Sequence, residues 1–299
     1  MDHMTRETIS PSDTIAIQSV LVAVRQAADA ICDRWSLLLI AAAFDGESRF
    51  GGFLERVGIA NRLAVSRLNL LCDLGVLMRV PYSVRPPRDE FLLTNMGKAL
   101  LPVLQHMANW DRDWHAQTVS CNLLTGPLGE NISVALTCGQ CGQITSAREI
   151  SLKLNKAQLQ AAPKKAGHHR RSIVTSHNAK GATFGLTQSL DVFGDKWSIE
   201  IILLGFFRVH RFSDFSDKLG IAANTLTDRL EGLIRLAIFE LSDARGYHLT
   251  NKGIALYGVL VMIQSWADAW LPKRYKSPVQ LIHTTCGQVF KPVTRIQPR

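Results

Sequence analysis

Cysteine is scarce in this chain, with six in 299 residues. That is too few for a disulfide framework, so a packed core must carry the fold. Long apolar runs are missing as well. IALYGVLVMI at 254–263, among the longest, falls far short of the roughly 20 residues a helix needs to cross a bilayer. The opening MDHMTRETIS has no basic-then-apolar order of a secretory signal. These absences set the expectation of a soluble, cytoplasmic protein without membrane contact. Nucleophile-elbow, P-loop, zinc-protease and dinucleotide-binding patterns are absent too, so no catalytic activity is expected.

Acid is missing from one stretch altogether. Residues 151–180 carry Lys153, Lys156, Lys164, Lys165, Arg170, Arg171 and Lys180 but no Asp or Glu, and so supply seven of the net nine positive charges. A basic balance favours a polyanionic partner, but here it says little about the folded parts. His168 and His169 lie inside this segment and read as part of a polycation that adds salt-sensitive, non-specific DNA affinity.

What the chain does have is apolar content of 46%, enough for a core, and a length that suits two domains. It also has an internal duplication. RFGGFLERVGIANRLAVSRLNLL at 49–71 and RFSDFSDKLGIAANTLTDRLEGL at 211–233 share Arg-Phe, Gly-Ile-Ala and Arg-Leu at an offset of 162. CDRWSLLLI at 32–40 matches GDKWSIEII at 194–202, and LTNMGKAL at 93–100 matches LTNKGIAL at 249–256. Trp110 and Trp114 match Trp266 and Trp270, by which point the offset is 156. Two copies at this long period mean duplicated domains.

Each copy reads as mostly helical. Asp33 and Asp195 are candidate N-caps. Phe50, Phe53, Leu54 and Val57 fall at one buried helix face, repeated by Phe212, Phe215 and Leu219. Gly58 and Gly220 mark a turn. A third helix follows, with Ala64, Leu68 and Leu71 or Leu226, Leu230 and Leu233 inward. VLMRVPYSVRPPRDEFLLT reads as two strands around a Pro-rich loop, and Thr94 and Thr250 cap a closing helix. Helix, turn, helix, hairpin and closing helix make the winged helix-turn-helix plan. The fold class expected is therefore mainly α with small β-hairpin wings, in two tandem winged helix-turn-helix domains. The boundaries are 1–118 for the first, 119–180 for a Cys-x2-Cys segment and basic linker, 181–275 for the second, and 276–299 for a C-terminal tail.

DKW at 195–197, RFSDF at 211–215, PPRDEFLLT at 86–94 and LTxxG, in this order and found twice, resemble HxlR-type transcriptional regulators. The resemblance implies DNA binding with a recognition helix in the major groove and a wing on the backbone. Its usual members are single-domain proteins that act as homodimers. This chain departs by being a tandem, and its second copy has only ELSDARGYHLT where the first has its Pro-Pro-Arg wing. It also lacks a cysteine just before DKW, so thiol sensing does not carry over; Cys32 stands where the second copy has Gly194.

Burying the leucines of the third helix leaves Asn61, Arg62, Leu63, Val65 and Ser66 outward in the first copy, and Asn224, Thr225, Thr227 and Asp228 in the second. Arg pairs with guanine, Asn with adenine, and Thr or Ser with either. Arg67 and Arg229 are expected to reach phosphates, as are Arg85, Arg88 and Arg245 on the wings. The partner expected is double-stranded DNA. Two arrangements remain open: two heads forming a pseudo-dimer within one chain, with the Trp-bearing helices as its interface, or one reading head per chain and a homodimer. A different reading is a sensor or protein-interaction module whose helix-turn-helix units no longer read DNA, favoured by Leu63, Val65 and Asp228. No effector is legible.

After each copy comes a two-ligand knuckle: Cys138 and Cys141 in TCGQCGQ, and His283 and Cys286 in HTTCGQ. Together they would make a Cys3His shell for zinc, provided that the two tails meet. Otherwise each is an isolated remnant or a reactive dithiol. No other cofactor is expected. Cys32, Cys72 and Cys121 read as small apolar residues.

Overall fold

The structure, a computed structural model, describes residues 11–115, 121–154, 184–272 and 279–299. Most of the basic linker, with His168 and His169, lies outside the described residues. The chain is mainly helical, with small antiparallel strand pairs, and builds two tandem winged helix-turn-helix units. No helix among the described residues is long and apolar enough to cross a membrane.

The first unit runs α1 (Pro11–Ile31), α2 (Arg34–Phe44), α3 (Phe50–Val57), α4 (Asn61–Asp73), β1 (Leu77–Val84), β2 (Pro87–Leu93), α5 (Asn95–Lys98) and α6 (Leu101–Trp114). Strands β3 (Ile132–Cys138) and β4 (Ile150–Leu154) follow it. The second unit repeats the order as α7 (Gln188–Phe193), α8 (Lys196–Phe206), α9 (Phe212–Leu219), α10 (Ala223–Arg235), β5 (Phe239–Ser242), β6 (Gly246–Leu249), α11 (Asn251–Ile254) and α12 (Tyr257–Trp270). It is followed by β7 (Val279–His283) and β8 (Pro292–Pro298).

The caps fall where the sequence puts them. Asp33 accepts from the Trp35 and Ser36 amides at 3.2 Å, and Asp195 from the Ser198 amide at 3.0 Å. Thr94 and Thr250 accept from Gly97 and Gly253 at 3.1 Å. These side chains satisfy amides that have no partner inside the helix. Helix α3 ends on Gly58 at φ 71° and α9 on Gly220 at φ 62°, a left-handed geometry that a Cβ would strain. The expected inward faces are buried: Phe53, Val57, Ala64, Leu68 and Leu71 in one unit, and Phe215, Leu219, Leu226, Leu230 and Leu233 in the other.

The units are locked together by contacts that recur with the copies exchanged. The Trp110 indole on α6 donates to the Lys252 carbonyl at 3.0 Å, and its equivalent Trp266 on α12 donates to the Met96 carbonyl at 3.0 Å. Arg34 pairs with Asp191 at 2.9 Å, and the equivalent Lys196 pairs with Asp29 at 3.5 Å. Both indoles are buried between α6 and α12, whereas Trp114 and Trp270 are 42% exposed. The inner tryptophans are thus interface groups, and the outer two are not buried there.

Some polar contacts break this symmetry. Helix α1 belongs to the first copy in sequence but packs on α8 and α12 of the second, as its shorter equivalent α7 packs on α2 and α6 of the first. Arg25 on α1 makes a two-pronged pair with the buried Glu200, at 2.8 and 2.5 Å. Asp111 on α6 caps the start of α7, accepting from the Thr187 amide at 2.8 Å and the Ser189 amide at 3.1 Å.

The segments after each copy also differ from a plain linker and tail. Strand β3 pairs antiparallel with β8, and β4 with β7, so each ribbon completes the other. Thr294 on β8 contacts both closing helices, at 3.1 Å from His106 Nε2 and 3.8 Å from the Met262 sulfur. Burial pushes the His106 imidazole down to about 4. The unfolded chain takes up this proton near the ordinary value of 6.5, while the fold resists it. Stability is therefore fully present above about pH 6.5 and falls as pH drops toward about 4, by about 3 kcal/mol for this group. Urea midpoints across that window should show the loss in the natural chain. They should show much less of it in His106→Met, which installs the residue of the second copy. An unchanged pH dependence in that variant would remove His106 as its source.

Candidate nucleic-acid interface

The third helix of each unit, α4 and α10, presents the face that the hydrophobic pattern leaves over. On α4, Asn61, Arg62, Val65 and Ser66 are exposed and Leu63 is half-buried against the core. On α10, Asn224, Thr227 and Asp228 are exposed and Thr225 is half-buried. Asn224 turns its side-chain oxygen back on its own helix, accepting from the Thr225 amide at 2.8 Å. Its NH2 would have to swing outward with that oxygen to meet a base edge. Both helices begin on an alanine N-cap with no side-chain cap, Ala60 and Ala222; in α10 the Asn224 oxygen takes up the Thr225 amide that a Ser or Asp cap would hold.

Arg67 and Arg229, expected on phosphates, also have partners within the fold. Arg67 Nε donates to Asp33 at 3.0 Å, and Arg229 Nε donates to Asp195 at 2.8 Å. The same carboxylate that caps the second helix of each unit thus holds the third helix against it. These bonds let the two arginines position the outward face of the third helix.

The wings differ. In the first unit Arg85 and Arg88 are exposed around the β1–β2 turn. Below them Arg49 stacks over Tyr82, 5.1 Å to the ring centre, and pairs with Glu90 at 3.5 Å. Arg79 lies over Phe91 at 5.4 Å and bonds Asn69 on α4. Arg49, Arg79, Tyr82 and Phe91, together with Val65 and Arg88, line a cleft of about 410 Å³ between α4 and the wing. The sequence pattern passed over Arg49, Arg79 and Tyr82. Arg49 had a signal, since Arg-Phe opens both repeats and Arg211 is its exposed equivalent. In the second unit the hairpin is only four residues a side, with Arg245 exposed at its turn. At its base His210 and His248 stack at 4.1 Å, their Nδ1 atoms 2.9 and 3.0 Å from the Tyr247 and Gly246 carbonyls.

The four knuckle residues come together. The ligand atoms of Cys138, Cys141, His283 and Cys286 all lie within 4.8 Å of one another. His283 Nδ1 is 3.4 Å from both the Cys141 and the Cys286 sulfur. Cys138 and His283 are fully buried, Cys286 is half-buried and Cys141 is exposed. Burial works to raise the Cys138 thiol, but the amides of Gln140 and Cys141 and the neighbouring thiols outweigh it and hold the thiol below its ordinary value. Of the remaining cysteines, Cys32 and Cys121 are buried and Cys72 is half-buried.

The HxlR-like helix-turn-helix family profile matches residues 30–119 and again residues 192–275. An uncharacterized HTH-type transcriptional regulator of Mycobacterium tuberculosis is 32% identical over 123 residues, covering 39% of this chain and 77% of the relative. Another such regulator, from Synechocystis, is 33% identical over 105 residues, covering 34% of this chain and 78% of the relative.

Proposed function

The chain belongs to the HxlR-like helix-turn-helix family of transcriptional regulators, and from that premise we propose that it carries two DNA-reading heads in place of a twofold dimer. Helices α4 and α10 enter successive major grooves, and the two hairpins lie along the phosphate backbone. The observation that carries this reading is the exchange of equivalent contacts between the copies, Trp110 to Lys252 and Trp266 to Met96. One chain thereby holds two recognition helices in a fixed relation, as a dimer interface would. The start of α4, which carries no side-chain cap, favours an approaching phosphate oxygen.

The heads do not present the same chemistry. Arg62 with Asn61 and Ser66 suits a guanine-containing half-site. Asn224 with Thr225 and Thr227 suits adenine and thymine, and Asp228 can accept from cytosine. Arg85, Arg88 and Arg245 supply sequence-independent phosphate contacts. The site read is therefore asymmetric. Arg62→Ala is expected to weaken binding to the chain's own upstream DNA by about 1–3 kcal/mol, roughly 5- to 150-fold, and to relax one base position. Arg85→Ala should weaken all sequences alike and reduce the salt slope by about 1. Mobility shifts with Arg62→Ala and Asn224→Ala separate the arrangements: loss in both supports two heads, and loss in one leaves a single head and a homodimer. Exposed Val65 and Asp228 favour the other reading, a protein-interaction module. The absence of any shift at low salt with any DNA would select it.

A further inference from the structure

We propose that Cys138, Cys141, His283 and Cys286 bind a single zinc ion, two ligands coming from each half of the chain. Three sulfurs and one imidazole nitrogen make a donor set suited to a closed, tetrahedral zinc site. A tetrahedron with Zn–S near 2.3 Å puts neighbouring ligand atoms about 3.8 Å apart. The four atoms here already converge to within 4.8 Å, so a small inward movement completes the shell.

The backbone around each pair has the same construction. In the first knuckle the Gly142 amide donates to the Cys138 carbonyl at 2.7 Å; in the second the Gly287 amide donates to the His283 carbonyl at 2.8 Å. Both glycines are left-handed, at φ 74° and 70°, which lets the chain turn tightly just after the second ligand. Flanking bridges, Thr137 to Ile144 and Ile282 to Val289, close both loops in the same way. The pairing of β3 with β8 and β4 with β7 then brings the loops face to face. Neither half has four ligands, so the site exists only where the ribbons meet.

The histidine is oriented for the task. Its Nε2 faces the Thr145 hydroxyl at 3.4 Å, and that hydroxyl donates to the Gln143 carbonyl at 3.1 Å. The hydroxyl oxygen therefore accepts from Nε2–H, which leaves the Nδ1 lone pair toward the two sulfurs. Metal-bound histidines are held by this kind of outer bond to the other ring nitrogen. Thr145 is a positioning residue: Thr145→Val should weaken metal affinity about 10- to 100-fold without changing the stoichiometry.

Metal analysis of the full chain, purified under reducing conditions without chelator, is expected to find one zinc per chain. Cys141→Ser in the first knuckle and Cys286→Ser in the second should each release that same ion. Cobalt titrated into the reduced, metal-stripped natural chain should give the intense absorption of a tetrahedral thiolate site and saturate at one equivalent. This titration needs no variant, so a misfolded mutant does not decide the matter. A chain that takes up neither zinc nor cobalt overturns the proposal. So does retention of the ion in either variant, or saturation at two ions per chain.

Discussion

Arg25→Ala is expected to cost the fold about 3 kcal/mol or more, read as a lowered urea midpoint. Glu200 is 1% exposed, and the Arg25 guanidinium meets both of its oxygens. Removing the arginine strands a charge inside the second unit, and such breaks are costly because the orphaned carboxylate keeps its desolvation penalty. The first copy shows what the site needs when no arginine is there: the equivalent of Glu200 is Leu38, which is fully buried. The double change Arg25→Met with Glu200→Leu should therefore restore most of the loss, and could exceed the natural stability. The pair fixes where α1 lies and is a weak source of net stability. If Arg25→Ala shifts the midpoint by less than about 1 kcal/mol, α1 is held by its apolar face alone.

Truncating the two inner tryptophans should have an effect at least as large. Trp110 and Trp266 are 3% and 4% exposed, and each indole N–H satisfies a carbonyl of the other copy. Alanine at either should cost about 3–5 kcal/mol, from lost apolar burial and the cavity left behind. Phenylalanine keeps most of the ring but leaves a carbonyl unpartnered, for about 1–3 kcal/mol. The two single variants should lose similar amounts, since they remove equivalent contacts. The double variant should depart from additivity, since both act on one interface. A loss confined to Trp110 would mean that the second contact is incidental and the copies are not symmetrically docked.

Much of the fold could be read before the structure, for a physical reason. Caps, turn glycines and buried faces are local: Asp33, Gly58 and the Leu68–Leu71 face each follow from neighbours within a turn or two, and the duplication repeats every signal. Partnerships across the chain were less legible. Arg67 was expected on a phosphate because it flanks the buried leucine. Its Nε bonds Asp33, 34 residues upstream, a partner that the helix period does not reveal. A short strand such as β8 carries no mark of its mate, so the ribbons read as a linker and a tail. Helix α1 looked like part of the first copy because it precedes it; its docking on the second is an exchange between the copies that α7 repeats, and no local pattern reveals it. The Cys/His set was visible as four residues, but only the strand pairing brings them into one cluster.

The central claim is that one chain reads an asymmetric site with two unlike heads. Selection of binding sites from random DNA by the full chain, with the mass of the resulting complex measured, tests it most directly. The account predicts one chain per duplex, on two different half-sites about one helical turn, or about 10 base pairs, apart. A palindrome occupied by two chains, or a single half-site per chain, would contradict it.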